Sequence, residues 1–195
     1  MLNLQLLVIY KSLGISGTAF QRCIESDRKL LKESINLLNL AIDNILQSKA
    51  NFVLISGDLT KDGEQLCHKQ IVKSLSRLIQ NGIKVYIIPG NHDINNPLSC
   101  KYEKDKTLPI KTVTSTEFED IYKDFGYGDA IYCDRNSLSY VVEPVNNLWL
   151  IGLDTCRYKE NKLHKGGIIG GKIYKEQKQW LLGILKEANK KRRLL

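Results

Sequence analysis

Two short stretches of the sequence end an apolar run on residues that can handle a proton, a phosphate or a metal ion. In VLISGDLTKDGE the run Phe52 to Ile55 leads to Gly57 and Asp58; in VYIIPGNHDINN the run Val85 to Pro89 leads to Gly90, Asn91, His92 and Asp93. A carboxylate at the mouth of a buried strand is partly desolvated, which is costly unless a cation or several donors satisfy it. Asn91 offers a neutral amide oxygen to a hard or borderline cation. His92 can give or take a proton near neutral pH. Asp93 can accept from that ring, fixing its orientation and favouring its charged form. The glycine before each set lets the backbone turn and lets another group approach closely. Singly, each stretch has a plain structural reading. GD before a helix is a common cap or Asx-turn, and GNHD is readable as a polar turn with a solvated histidine. The same arrangement in two consecutive loops is what points to a site.

The surrounding elements explain how both loops reach one place. Leu31, Ile35, Leu38, Ile42 and Ile45 recur at three- and four-residue steps, which predicts a helix over 29–48 with Ser26 or Asp27 as its cap. Residues 51–56 read as a strand, apolar enough for burial on both faces. Cys67, Ile71, Leu75 and Leu78 predict a second helix over 65–80, ended by Asn81-Gly82, and a strand follows over 84–89. Strand, helix, strand with short links is a βαβ unit with parallel strands. Open α/β sheets place ligands beyond the carboxyl ends of their strands, where both polar loops lie. Further on, 94–113 reads as a long polar loop. Thr114 and Glu117 have capping-box spacing for a helix to about 125. Residues 138–142 and 148–153 read as a hairpin. The last helix covers about 174–190, with Trp180, Leu181, Ile184, Leu185 and Ala188 inward. The glycine-rich HKGGIIGGK, 164–172, lacks the spacing of a phosphate-cradling loop.

Composition excludes several classes. The chain has 195 residues, 43% hydrophobic and 26% charged, which fits one globular domain. Its net charge is +8, but the lysines are scattered, so a solvated surface is expected and no nucleic-acid partner is indicated. Five cysteines without a CxxC pair argue against a cysteine zinc site and read as reduced, packed thiols. The opening MLNLQLLVIYK is too short for a membrane span and lacks a basic leader, so it reads as a buried first strand. As it stands the sequence carries no clear signal peptide and reads as cytoplasmic; a longer parent could be exported.

The pair GDLT and GNHD resembles the second and third signature blocks of the calcineurin-like metallophosphoesterases. GISGTAFQ, SDRKLL, VLISGDLTKDGE, VYIIPGNHDINNP and FGYGDA are similar to one bacterial branch of that family, so the likeness covers about 13–190. It implies an α/β fold, a β-sandwich flanked by helices, and a phosphatase or phosphodiesterase acting on a phosphoester substrate with two divalent metal ions, Mn, Fe or Zn. By that resemblance Asp58 matches the aspartate that bridges both metals. Asn91 matches the asparagine that binds one metal and touches phosphate. His92 matches the histidine that protonates the leaving oxygen, and Asp93 matches that histidine's partner. Two cations about 3.5–4 Å apart would neutralise the phosphate and acidify a bridging water.

The family's first block, Asp-x-His, has no counterpart here: no aspartate precedes Asp27 and no histidine precedes His68. Its last, Gly-His-x-His, has none either. His164 is the only histidine after His92 and matches no block. The segment Arg192 to Leu195 looks like the first residues of a further strand. The fold is therefore expected to be a single domain, incomplete at both ends, with the second metal lacking its own ligands. Two function classes stand: a metallophosphoesterase, or a non-catalytic fragment or decayed homologue that keeps the fold and a weak metal or anion site. Asp154 and His164 are the residues to test first for completing the site.

Overall fold

The strand, helix, strand alternation is present in the computed structural model, which describes residues 16–27, 30–161 and 166–195. The expected first strand and His164 lie outside the described residues. Helices α1 (Thr18–Ser26) and α2 (Ser34–Gln47) precede β1 (Phe52–Ile55), and α3 (Gln65–Gln80) joins β1 to β2 (Lys84–Ile87). β1 and β2 pair in parallel, from Phe52 opposite Lys84 to Ile55 opposite Ile87.

The period of two along β2 sorts its side chains between two layers. Val85 and Ile87 meet Leu38, Ile42, Ile71, Leu75 and Leu78 of the helices. Tyr86 packs the other way, with Ile88 just beyond the strand, against Tyr140, Val142 and Leu150. Those three belong to an antiparallel sheet of β5 (Tyr132–Cys133), β6 (Tyr140–Val145) and β7 (Leu148–Gly152), in that spatial order. On its far face Val141 and Trp149 pack on Ile184 and Ala188 of α5 (Lys175–Lys190). The layers run helices, β1–β2, β5–β7, helix: a β-sandwich flanked by helices. Each fully buried Leu or Ile in these layers contributes about 1.5–3 kcal/mol relative to exposure.

Several local expectations are corrected. Leu54 on β1 is 45% exposed, so that strand is not buried on both faces. The stretch read as a polar loop holds a hairpin, β3 (Cys100–Glu103) and β4 (Lys106–Pro109), with Cys100 opposite Pro109. Its inward residues Cys100 and Tyr102 bury against α1, which the sequence reading did not contain. Ala19 N donates to Lys104 O at 2.9 Å and Arg22 Nη2 to Asp105 O at 2.7 Å. α4 (Ser115–Ile121) begins at the expected capping box but ends early, giving way to a 3-10 turn over Lys123–Phe125. On α5, Ile184 and Ala188 are buried, whereas Leu185 is 37% exposed. Leu194 forms a parallel bridge with Leu148, as a strand starting there would. Among the described residues no helix is long and apolar enough to cross a membrane.

Candidate active site at the strand-end loops

The loops after β1 and β2 cross in direct contact, and glycine is what permits it. A Cβ on Gly57 would lie 2.1 Å from Gly90 N, and one on Gly90 would lie 2.1 Å from Asp58 N and Oδ1. Gly57 (φ 96°) and Asp58 (φ 55°) are both left-handed, a conformation glycine takes freely and aspartate tolerates. The result brings Asp58 to the second loop, where its Oδ1 accepts from His92 N at 3.2 Å. Asp58, Asn91 and His92 therefore share one rim of the parallel sheet. The Asn91 side chain is half-buried and has no hydrogen-bond partner among the described residues.

The pairing of His92 with Asp93 is not what the structure contains. Asp93 is fully buried and its carboxylate clasps the loops together. Oδ1 accepts from Leu59 N, Thr60 N and Thr60 Oγ1, and Oδ2 from Gly90 N, all at 2.9 Å. Burial pushes its pKa up to about 6 against the pull of those donors. The imidazole is instead held from the first loop. His92 Nδ1 donates to Lys61 O at 2.7 Å and lies 3.3 Å from Asp62 Oδ1. A carbonyl can only accept, so Nδ1 carries the hydrogen and Nε2 is the nitrogen whose protonation changes.

Asp62 is 6% exposed, and burial alone would raise its pKa. The hydrogen bond from His92 and the Lys61 ammonium outweigh that, and the carboxyl is held below its usual range. Asn96 Nδ2 donates to the same Oδ1 at 3.1 Å. Lys61 is itself buried between Asp62 and Glu64, whose charges raise its pKa despite the burial. These residues escaped the sequence reading because their roles depend on the loop reversing after Thr60. The available signal was an acidic residue four positions beyond Asp58, in the turn KDG.

Behind the rim, His68 of α3 is also buried. Its Nε2 donates to Asp93 O at 2.9 Å, and its Nδ1 lies 2.8 Å from Tyr122 Oη. Asp154 has its carboxylate engaged by Leu138 N, Tyr158 Oη and Cys156 N, and it is 3% exposed, so it acts as a structural clasp. Asn161 Nδ2 reaches Asn95 O at 3.2 Å and steadies the end of the second loop.

Among the described residues no group of three or more His, Cys, Asp and Glu side chains is placed to hold a metal ion. Among the described residues the oxygen donors at the rim are Asp58 and Asn91, enough for one loosely held cation. A two-metal centre does not fit the donors among the described residues.

A family model described as calcineurin-like phosphoesterase matches residues 31–181. The chain is also 31% identical over 99 residues to the DNA double-strand break repair protein Mre11 of Methanocaldococcus jannaschii, a match covering 47% of this chain and 27% of that protein. The chain thus spans only about a quarter of the relative's length.

Proposed function

The chain belongs to the calcineurin-like phosphoesterase family, and from that premise we propose that the rim of Asp58, Asn91 and His92 is where it meets a phosphoester. The family places the chain among phosphoester hydrolases that generally depend on two metal ions, which supply charge neutralisation and an activated water when bound. The observation that carries the reading is the anchoring of His92: Nδ1 is tied to Lys61 O and faces Asp62. With Nδ1 fixed, a proton on Nε2 can pass to a departing alkoxide, and the ionised Asp62 stabilises the imidazolium before transfer. Asp93 supports this indirectly, by holding the two loops at their crossing.

The donor set argues that these 195 residues alone hydrolyse little. The test is release of p-nitrophenol from its phosphate monoester and bis ester with manganese, zinc or iron. Likeness to a DNA repair protein makes a short DNA duplex the next substrate in the panel. Turnover near background is expected for this chain. In a longer form carrying Asp-x-His and Gly-His-x-His blocks, Asp58→Ala should nearly abolish turnover. There, His92→Ala should slow phenyl phosphate more than p-nitrophenyl phosphate, since a basic leaving oxygen needs the proton most. Unchanged turnover in both variants would overturn the assignment. Robust turnover by the 195 residues, lost in Asp58→Ala, would show that another residue completes the site, with His164 first to test.

A further inference from the structure

Three of the five cysteines meet on the far side of Lys61 from His92. Cys67 and Cys100 are buried in a cluster with Ala19, Phe20, Leu31 and Tyr102, and Cys23 packs against it. All five cysteines are reduced. α1 carries Cys23 and docks on the hairpin that carries Cys100 and Tyr102; the Phe20 and Tyr102 rings lie 5.3 Å apart. Tyr102 Oη donates to Cys23 Sγ at 3.0 Å, and Cys100, two positions before Tyr102 on β3, is buried in the same cluster. Two thiols on different elements therefore meet at one tyrosine. Lys61 Nζ lies 3.6 Å from Cys100 Sγ. Cys23 is half-buried and Cys100 is 8% exposed, so a small oxidant meets Cys23 first.

We propose that Cys23 and Cys100 form a peroxide-responsive dithiol that closes to a disulfide between α1 and β3. Cys23 sulfur attacks one oxygen of hydrogen peroxide, the O–O bond breaks, and a sulfenic acid and one water result. Cys100 sulfur then attacks the sulfenyl sulfur, the S–O bond breaks, and the departing hydroxide takes the Cys100 proton as a second water. Two thiols and one peroxide thus become one disulfide and two waters. Lys61 does not compete for the sulfenic acid, because Asp62 and Glu64 keep it as an ammonium without a lone pair. Closure requires the Tyr102 hydroxyl to move aside so that the sulfurs reach about 2.05 Å. It draws Cys100 from Lys61, whose carbonyl and carboxylate partner hold His92. That last consequence rests on the proposed role of His92; the dithiol itself does not.

The test treats the reduced 195-residue chain with hydrogen peroxide, blocks remaining thiols with a maleimide, and maps the non-reduced digest by mass spectrometry. Titratable thiols should fall from five to three, with a Cys23–Cys100 linked peptide that dithiothreitol abolishes. In Cys100→Ser the linked peptide should vanish and Cys23 should be trapped as a dimedone adduct. A Cys23–Cys67 link, a Lys61–Cys100 cross-link, or oxidised Cys23 beside a still-alkylatable Cys100 would each overturn the proposal. The unmutated map decides the matter even if Cys100→Ser folds poorly.

Discussion

Burial holds His68 neutral, and that makes one residue a gauge of the site's integrity. Burial lowers its pKa from 6.5 to about 4. With Nε2–H donated to Asp93 O, Nδ1 accepts from Tyr122 Oη, and a second proton would displace that donor. Because the folded value lies below the unfolded one, its stabilising effect is complete above pH 6.5 and is lost as pH falls toward 4. The gap amounts to about 3 kcal/mol. Urea midpoints for the wild type should therefore fall more steeply across that window than those of His68→Gln; parallel curves would contradict the neutral tautomer. Two glycines, Gly57 at the crossing and Gly82 after α3, give a second measure. Gly82 has φ 79° with nothing near its missing Cβ, so Gly82→Ala should cost about 1 kcal/mol from backbone strain alone. Gly57→Ala adds the clash with Gly90 and should cost at least about twice as much in the same denaturation assay. That Asp58, Asn91 and His92 would lie at one rim was legible in the sequence because all three follow the ends of two neighbouring parallel strands. Asp93 was misread, and Asp62 overlooked, because neighbours in sequence need not face each other. Asp93 turns inward to backbone donors, and the ring of His92 turns across to the other loop.

At the scale of elements, α4 shows how a short helix supports the rim. Thr114 Oγ1 accepts from Glu117 N at 3.2 Å while Glu117 Oε2 accepts from Thr114 N at 2.8 Å. Helix and following turn bring Phe118 and Tyr122 against His68. Thr114→Ala should lower stability by about 1 kcal/mol. It should also speed amide exchange at Tyr122 and Asp93 before it affects α5; uniform change across the chain would show that α4 does not support the site specifically. This capping box was readable from spacing, as were the bounds of α3, whose buried stripe repeats every three or four residues. The β3–β4 hairpin was not. Its turn, Lys104-Asp105, lacks glycine, and its polar outward residues mask the alternation of Cys100 and Tyr102. α1 was missed for a related reason: its nine residues bury mainly Ala19 and Phe20, too few to show a period.

At the scale of the whole molecule, large apolar side chains among the described residues stand exposed on β1, on α5 and at Leu194. Leu54 is 45% exposed, Leu182 48% and Leu194 68%. Exposed apolar side chains favour association. Light scattering should show mass rising with concentration, together with a low melting temperature; a monodisperse monomer melting above about 65 °C would contradict this. The parallel β1–β2 unit followed from the alternation of strands and helices and the two-sheet layering from the family resemblance, whereas which faces are exposed depends on packing across layers that no local pattern reports. The central claim is that the two crossing loops form one cation- and phosphate-facing rim. The most direct measurement is the paramagnetic broadening of amide NMR signals by substoichiometric manganese in the 195-residue chain. Broadening centred on Asp58, Asn91 and His92, and lost in Asp58→Ala, is the predicted result. Broadening elsewhere, or a pattern that Asp58→Ala leaves unchanged, would contradict it.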